Sequence, residues 1–450
     1  MIAPSLLAAA LFLQSGGALP VLTLEQALRE ARQKNLDIEQ AEARLHQADQ
    51  ATAKAWSFHL PQVTAGGSYT RNSEEARFAL PKGYWVRDKG IPQGPPGPEQ
   101  TTLALESQGD IEAVIQKQDQ LGGQVEVKQA LVAPALWPAI ASAYAGERVA
   151  EHGTEAARRE VLFGVAQAYY GAASLRQLVS VQERTLSLAR EREKDARVRF
   201  QAGATPKVAF LRAEIDRAQA EQDLKRAQND YASAKLALAT LLLHPEGFEV
   251  EVPTSPRAPE GDLEGAALRE RPDVLAAAAG VDLARDGRLG AWARYLPSLG
   301  AFGQVRWSNV GGFTGKSTTW AAGVGLTWSI FDGGLREAEI REGNGKVAEA
   351  EAARRAAEVR AVEEVRRARL DLESALANKS KAEERLQLAR ENARLVDVAF
   401  RAGAATYLES TDAAEALRQA EISLVAESLA ADLATLRLQK AAGSFGELAR

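Results

Sequence analysis

The feature that most constrains this chain is that it contains one pattern twice. The run Asn-Leu-Asp-Ile at 35–38 resembles Arg-Pro-Asp-Val at 271–274, which lies 236 positions later. Phe-Gln-Ala-Gly-Ala at 200–204 recurs as Phe-Arg-Ala-Gly-Ala at 400–404, at an offset of 200. Several matches share each offset, so coincidence does not explain them. The sequence therefore indicates a tandem duplication.

The fall of the offset from 236 to 200 places about 36 extra residues in the first copy. The segment 82–120 is the obvious location, because it contains the run Gly-Pro-Pro-Gly-Pro at 94–98. Such a run cannot continue a helix or a central strand, so the sequence predicts a loop over 72–120. The predicted division is a signal peptide at 1–18, a first repeat at 19–243, a connector at 244–270, a second repeat at 271–442 and a short tail at 443–450.

The first apolar run, residues 6–13, has the length of a signal-peptide core and is too short to cross a bilayer. Small residues follow it, and cleavage after Ala18 is expected, although no Lys or Arg precedes the run. No stretch of the chain holds 18 uninterrupted apolar residues. If the mature chain crosses a membrane, it must do so through β-strands.

Alternating residues predict four strands, at about 62–71, 121–131, 298–308 and 319–331. In the last of them every second residue is apolar, and small or polar residues lie between. This alternation is typical of a transmembrane barrel, whose outer face contacts lipid. A half-buried sheet in a soluble domain gives the same pattern. The lipid-facing candidates of the last strand are Trp320, Val324, Leu326, Trp328 and Ile330.

The number of strands has a further consequence. Four strands cannot close a barrel, because about eight is the practical minimum. An open sheet in lipid would leave backbone groups at its edges without partners. If the strands lie in a membrane, several chains must each contribute a sheet to one barrel.

In both copies, long predicted helices precede and follow the strands along the sequence. Residues 23–57 contain no internal Pro or Gly, with Thr23 as the N-cap and Gln26 three residues later, and Pro272 suits a first helical turn. Residues 136–200 and 335–400 predict helices that are each about 100 Å long at about 1.5 Å per residue. Apolar spacings of three and four indicate antiparallel coiled-coil hairpins. The strand–helix junctions are predicted at Pro61, Pro134, Pro297, Asp332, Gly333 and Gly334.

Composition argues against several other functions. The chain has no cysteine, four scattered histidines and a net charge of −5, so it offers no thiolate metal site, no paired histidine ligands and no basic face for nucleic acid. Residues 310–317 approach a phosphate-binding loop, but the first glycine is missing and the segment joins two predicted strands. The sequence predicts neither an enzyme nor a bound cofactor or metal.

The duplicated order of helix, strand pair and long helical hairpin resembles the TolC-like outer-membrane efflux proteins. The resemblance covers about residues 23–438 and includes Phe-Asp-Gly-Gly-Leu at 331–335 and the two Phe-x-x-Gly turns. It implies a mainly α fold with a β-barrel portion, assembled as a homotrimer with 12 strands in outer-membrane lipid. It also implies a passive periplasmic duct, a periplasmic adaptor, and an inner-membrane pump of the RND, ABC or a similar class.

On this resemblance the two hairpin tips contact the adaptor, and their small side chains suit a close approach of backbones. The tip residues are Gly203, Ala204, Thr205, Gly403, Ala404, Ala405 and Thr406. Asp397 is a candidate for a narrow acidic ring in the duct, although its first-copy equivalent is Arg197 and an exposed surface carboxylate explains it equally well. The alternative function is a coiled-coil scaffold of the cell envelope that forms no channel.

Overall fold

The computed structural model describes residues 20–81, 83–88, 103–107, 109–245, 247–311 and 315–447. The predicted signal peptide at 1–18 lies outside these residues, as does part of the predicted loop. The chain divides into two compact units. A helical unit comprises residues up to Asp49, Ala145–Leu283 and Val347 onward, and a sheet unit comprises Gln50–Tyr144 and Ala284–Lys346.

Helices dominate the described residues, and the longest two are continuous over more than 60 residues. Their bounds are α1 Leu24–Lys34, α2 Leu36–Ser57, α3 Leu136–Gln201, α4 Lys207–Leu242, α5 Leu263–Glu270, α6 Pro272–Ala293, α7 Leu335–Arg401 and α8 Tyr407–Ala442. A 3-10 turn follows at Ser444–Glu447. Within the described part of the chain, no helix combines the length and apolar character needed to cross a bilayer.

The strands form one larger sheet and three small pairs. Their bounds are β1 Val21–Leu22, β2 Gln62–Arg71, β3 Ala76–Pro81, β4 Tyr84–Asp88, β5 Leu103–Ser107, β6 Asp110–Gln116, β7 Asp119–Val132, β8 Glu249–Val250, β9 Ser298–Ser308 and β10 Thr318–Thr327. The larger sheet has the order β10-β9-β7-β2 and is antiparallel throughout. The fold is therefore mainly α with a β portion.

The predicted single helix over residues 23–57 is in fact two helices, α1 and α2, separated at Asn35. Thr23 forms the predicted capping box with Gln26. Asn35 is extended, and its side-chain oxygen accepts from the backbone N–H of Asp37 at 2.9 Å, while its amide donates to the carbonyl of Leu241 at 3.0 Å. An asparagine that caps the following helix in this way ends the preceding one. The sequence prediction did not include this side-chain competition.

Arg271 lies 236 positions after Asn35. It separates α5 from α6 in the second copy, as Asn35 separates α1 from α2 in the first. It is extended, with ψ 124°, and α6 begins at the next residue, Pro272, as predicted. Helix α5 precedes it and lies inside the segment 244–270 that the sequence assigned to a connector. That assignment was wrong, because α5 is the second-copy counterpart of α1.

The segment 72–120 is not simply a loop. Strands β3 and β6 pair antiparallel there, and β4 pairs with β5. The reason is local: β2 and β7 are already antiparallel neighbours, with Arg71 opposite Asp119. The segments that follow β2 and precede β7 therefore start next to each other, so their pairing costs little additional loop-closure entropy. The Pro/Gly run at 94–98 lies outside the described residues.

The core of the helical unit includes apolar side chains of α1, α3, α4 and α8 around Tyr169, which is fully buried. The two-residue strands β1 and β8 pair in parallel at its edge. The Tyr169 hydroxyl lies 2.8 Å from the carbonyl oxygen of Leu22 and 2.9 Å from that of Glu251. Burial raises the pKa of this phenol, so it stays protonated and able to donate. These contacts join the start of the first copy to the chain that follows α4.

Candidate functional site

The larger sheet has one apolar and one polar face. In an antiparallel pair, directly opposed residues share a face, and Val324 lies opposite Ala301, Leu326 opposite Leu299 and Trp320 opposite Val305. The register continues this apolar face across β7 and β2. Its members include Val63, Tyr69, Leu121, Val125, Val127, Leu299, Val305, Trp307, Trp320, Val324 and Leu326. The other face carries mostly polar side chains, Gln124, Glu126, Lys128, Gln304 and Arg306, together with Phe302.

The apolar face is exposed. Trp320 is 78% exposed, Val324 63% and Leu326 67%. A contiguous apolar face of this kind marks a surface that another apolar phase or partner covers. The predicted lipid-facing residues Trp320, Val324 and Leu326 therefore lie together on an uncovered sheet face.

Both outer edges of this sheet are open. Strand β10 pairs only with β9, and β2 only with β7, within the part of the chain that the structure describes. Each outer edge presents backbone N–H and C=O groups that need hydrogen-bond partners. The sheet is therefore incomplete as it stands.

The last predicted strand, 319–331, is too long by four residues, because β10 ends at Thr327. Its final partner is Ser298, and Pro297, the residue before Ser298, has no N–H to donate. Trp328 and Ile330 consequently lie outside the strand. Both remain exposed, at 57% and 80%.

The second-copy junction between strand and helix is built around Arg336, which is 6% exposed. Its guanidinium donates to the carbonyls of Ser329 at 2.8 Å and Ile330 at 3.0 Å. It forms an ion pair with Asp332 at 2.8 Å and lies 4.5 Å from the ring centre of Tyr295. The sequence prediction missed this residue, although its position four residues after Asp332 is a recognisable signal for a helix-start ion pair.

The glycines of this junction provide the turn. Gly333 and Gly334 have φ values of 74° and 89°, a region that side-chain-bearing residues rarely adopt. The backbone N–H of Gly334 donates to the Asp332 carboxylate at 3.2 Å. The predicted junction residues Asp332, Gly333 and Gly334 thus lie between the end of β10 and the start of α7. Pro297 lies between α6 and β9.

In the first copy, aromatic contacts stabilise the junction between strand and helix, where the second copy has an arginine. Trp137, like Arg336, is the second residue of its long helix, and it packs edge-on against Trp56 with ring centres 6.2 Å apart. His59, the counterpart of Tyr295 at the offset of 236, lies 5.9 Å from Trp137. Pro61 precedes β2 and Pro134 precedes α3, as the sequence predicted.

The two hairpin tips share their backbone hydrogen bonds, and the second tip adds one from the N–H of Ala405 to the carbonyl of Ala399. In the first, the N–H of Gly203 donates to Phe200 and that of Ala204 to Arg199. In the second, Gly403 and Ala404 donate to the carbonyls at the equivalent positions. The tip glycines have φ values of 72° and 78°, which only glycine adopts readily. The surrounding alanines are exposed, so both tips present small side chains to solvent.

The tips differ in how the next helix is capped. Thr406 forms a capping box with Glu409 at the start of α8. Pro206 occupies the equivalent position before α4 and provides no side-chain hydrogen bond. Of the remaining predicted tip residues, Thr205 has a buried hydroxyl without a hydrogen-bond partner, and Ala405 is partly buried.

Behind the tips, side chains connect the α3–α4 hairpin to the α7–α8 hairpin. Tyr407 on α8 donates to Asp216 on α4 at 3.3 Å, and the Arg199 guanidinium lies 4.9 Å from the ring centre of Phe400. Glu421 on α8 lies 3.7 Å from Arg184 and 3.8 Å from Arg390. A cavity of about 680 Å³ lies among α3, α4 and α8 in this region and is lined by charged residues of both signs.

Asp397, the candidate for an acidic ring, forms an ion pair with Arg401 at 3.0 Å on its own helix. Its side chain is 44% exposed. This pairing is also what an ordinary surface carboxylate makes. Its role in a duct remains a prediction.

Neither a metal centre nor a nucleotide site emerges from the described residues. No group of three or more His, Asp or Glu side chains there is arranged to hold a metal ion. The glycine-rich segment 310–317 joins β9 to β10, and no helix follows it. A phosphate-binding loop requires such a helix, whose N-terminus faces the phosphate.

The architecture matches a known class of solved structures. The outer membrane protein VceC from Vibrio cholerae aligns with a TM-score of 0.72 and 20% identity, over 93% of this chain and 96% of that one. The CmeC outer membrane channel of Campylobacter jejuni aligns with a TM-score of 0.73 and 16% identity, over 94% of this chain and 86% of that one. The fold is therefore that of the TolC-like outer-membrane channels.

The family follows from the sequence. The family model described as "Outer membrane efflux protein" matches residues 139–242 and 263–444. The chain belongs to this family and is an outer-membrane protein. The outer membrane efflux protein BepC of Brucella suis is 24% identical over 200 residues, and the matched segment spans 43% of this chain and 43% of that relative.

Proposed function

We propose that the chain is one protomer of a homotrimeric export channel in the outer membrane, a passive duct whose substrates an inner-membrane transporter drives. A periplasmic adaptor joins the channel to a pump of the RND, ABC or a similar class. The observation that carries the proposal is the pair of open outer edges, at β10 and β2, on a sheet with an exposed apolar face. In lipid those edges need partners, and another copy of the same sheet provides them. Three copies give the 12 strands that the TolC-like resemblance implies.

The surface of α7 supports assembly from several copies. Val359, Leu370 and Leu388 are 67%, 66% and 67% exposed, and Leu395 is 53% exposed. They are 11, 18 and 7 residues apart, which are close to whole numbers of turns, so they share one face of the helix. The opposite face holds buried residues that include Ala361, Val365, Ala368 and Leu372. A helix with two apolar faces needs a second neighbour, and a sister protomer is the candidate.

The tip residues support adaptor binding. Both tips are exposed, built from small residues and alike in backbone geometry, so one adaptor surface has two similar places to bind on each protomer. The inter-hairpin contacts lie directly behind them. Opening of the duct is then a change in how the two hairpins pack, which these contacts resist.

The competing function, a coiled-coil scaffold without a channel, accounts for the helices only. It leaves the exposed apolar sheet face and its open edges without a purpose. Fractionation separates the two functions directly. A channel protomer is expected in the outer membrane, in a detergent-stable oligomer of three chains that heating dissociates on a denaturing gel.

The oligomer is tested with two neighbouring substitutions on α7. Leu388→Asp places a charge on the exposed apolar stripe and is expected to reduce the trimer fraction in light scattering of the detergent-extracted protein. Gln387→Asp introduces the same charge at the next residue, which is exposed but lies off the stripe, and is expected to leave the trimer intact. A stable wild-type monomer outside the outer membrane would contradict the proposal.

A further inference from the structure

One side chain on the polar face of the larger sheet differs from its neighbours. Of the residues paired on that face, Phe302 is the only one with a large apolar side chain, and it is 39% exposed. It lies on β9, an inner strand, so the ring has a neighbouring strand on each side. The apolar face of the sheet is the opposite one, so whatever covers that face does not account for Phe302.

The Phe302 ring leans across the adjacent strand β10. Gly323 is the residue directly opposite Phe302 there, and a Cβ atom added at Gly323 would lie 3.0 Å from the ring carbons Cε1 and Cζ. Any larger side chain at this position would therefore push the ring away from the sheet. Because position 323 is glycine, the ring lies low against β10 and remains partly exposed.

The surface beside the ring has no side chains. Gly300 and Gly325 lie directly opposite each other, at the next position of the same face. A Cβ atom at Gly325 would meet no other part of the chain within 4 Å, and one at Gly300 would meet only a backbone oxygen at 3.5 Å. A planar group can therefore reach the ring and lie over bare backbone without displacing any side chain.

The charges around the ring favour an anion. Lys128 lies directly opposite Phe302 on β7; it pairs with Glu126 at 2.9 Å, yet its side chain is 65% exposed. Arg306 lies on the same face, four residues after Phe302, and makes no ion pair within the part of the chain that the structure describes. These three are the charged residues paired on this face, so two cations stand against one carboxylate and the net charge is +1, whereas the whole chain carries −5.

Packing of an aromatic ring over a glycine also stabilises a strand pair by itself. That role explains the contact with Gly323. It does not explain an exposed ring near the middle of a polar face, next to open backbone and an excess of positive charge. An aromatic ring recognises another ring by stacking or edge contact, and cations recognise an anionic group. The two features together fit a ligand that has both.

We propose that Phe302 and Lys128 form a weak binding site for aromatic anions, in which a planar ring of the ligand packs on Phe302 and its anionic group lies near Lys128. The inference rests on the proposed channel, because that function makes the polar face of the sheet part of the wall of the duct. It adds the class of compound that this wall favours. Binding has to be weak, because a ligand that binds tightly inside a duct does not leave it.

Two probes of equal charge separate the ring from the cation. Naphthalene-1,5-disulfonate is a planar aromatic dianion, and pentane-1,5-disulfonate is a dianion without a ring. Equilibrium dialysis against the detergent-extracted, full-length protein measures the binding of each probe without any need for conduction. Block of single-channel current in planar bilayers measures the same binding while ions pass. Wild type is expected to bind the naphthalene probe roughly threefold or more tightly than the pentane probe.

Four variants assign the binding to the two side chains. Phe302→Leu keeps an apolar side chain over Gly323 but removes the ring, so the dissociation constant of the naphthalene probe should rise roughly threefold or more while that of the pentane probe stays unchanged. Phe302→Tyr keeps the ring and should bind like wild type. Lys128→Gln should weaken both probes by roughly twofold or more. Phe58→Leu is the matched control at an exposed phenylalanine outside the sheet, and it should change nothing.

The outcomes distinguish the site from the channel. Equal binding of the two probes by wild type, or unchanged naphthalene binding in Phe302→Leu, refutes the site, while single-channel currents of wild type still support the duct. Naphthalene binding that depends on Phe302, in a protein that gives no current in bilayers, supports the site and contradicts the proposed channel. If Phe302→Leu does not assemble, the preference of wild type between the probes and the loss in Lys128→Gln decide the question.

Discussion

Tyr407 at the start of α8 donates a hydrogen bond to the Asp216 carboxylate on α4, with 3.3 Å between the two oxygens. The bond crosses from one helical hairpin to the other, one residue beyond the second tip. Burial, with the Asp216 carboxylate as a further cause, raises the pKa of Tyr407 to about 12, so the phenol keeps its proton at neutral pH. Arg192 lies in the same region without an ion-pair partner among the described residues, and burial lowers its pKa.

Removing this bond is expected to ease opening of the tips. Tyr407→Phe deletes only the hydroxyl, and a hydrogen bond of this kind contributes about 0.5–1.5 kcal/mol. That range corresponds to roughly a 2- to 13-fold shift toward the open state if the bond exists only in the closed one. Single-channel conductance in planar bilayers measures the open fraction. Tyr295→Phe, which removes a hydroxyl that donates to Glu337 and not between the two hairpins, provides the control. Equal open fractions in Tyr407→Phe and wild type would contradict the role.

The two faces of β10 are expected to tolerate charge very differently. Val324→Arg places a cation on the exposed apolar face, where a charge in the bilayer centre costs about 2–4 kcal/mol. Ala321→Arg places the same charge on the polar face of the same strand, opposite Gln304. The first variant should lose most of its outer-membrane oligomer, and the second should assemble like wild type. Heat-modifiable bands on a denaturing gel measure both, and similar assembly of the two variants would mean that the apolar face does not meet lipid.

Each tip contains one threonine, but only Thr406 caps the helix that follows. Thr406→Ala removes the capping box of α8, which is expected to destabilise the hairpin by about 0.5–2 kcal/mol. Thr205→Ala in the other tip removes a buried hydroxyl that makes no hydrogen bond, so it should be neutral or slightly stabilising. Protection of the tip amides in hydrogen exchange reports both effects. Equal losses in the two variants would show that the cap at Thr406 adds nothing.

Much of the fold could be predicted because the chain is duplicated and its patterns are long. The shared offsets indicated two copies, and the alternation around Val324 identified the apolar face without structural information. The turns at Gly203 and Gly403 followed from glycine's access to positive φ. These features depend on residues close in sequence, which is why a single sequence was enough.

The missed features depend on residues distant in sequence. The helix break at Asn35 is fixed in part by the carbonyl of Leu241, more than 200 residues away. The end of β10 is set by its partner strand, which begins only after Pro297. The contact between Tyr407 and Asp216 joins two different repeats. No local sequence pattern indicates contacts between residues so far apart in the chain. The candidate site could therefore be predicted only in part.

Acid is expected to weaken the helical unit through Glu249. Burial raises the pKa of this carboxyl, but hydrogen bonds from Lys235 at 2.8 Å and Tyr231 at 2.7 Å, with the nearby positive charges, lower it by more, so the net shift is downward. A carboxyl with a depressed folded-state pKa contributes stability above its unfolded value near 4.5, and this contribution is lost as pH falls through the folded value. Glu249→Gln should therefore be less stable than wild type at pH 7, and the difference should shrink as the pH falls below 4.5. Urea midpoints measured across this pH range test the prediction, which fails if the difference between the two proteins does not change with pH.

The exposed alanines at the tips lead to a prediction about adaptor binding. Ala204→Trp combined with Ala404→Trp adds two large side chains where we expect the adaptor to approach the backbone closely. Both positions are exposed in the chain, so the substitutions should leave folding and trimer assembly unchanged while export in cells falls at least tenfold. Ala232→Trp, at an exposed position on α4 away from the tip, controls for the added bulk. The measurement is the growth-inhibitory concentration of an exported compound, together with chemical cross-linking of the channel to its adaptor. Normal export and cross-linking in the double variant would place the adaptor contact elsewhere on the protein.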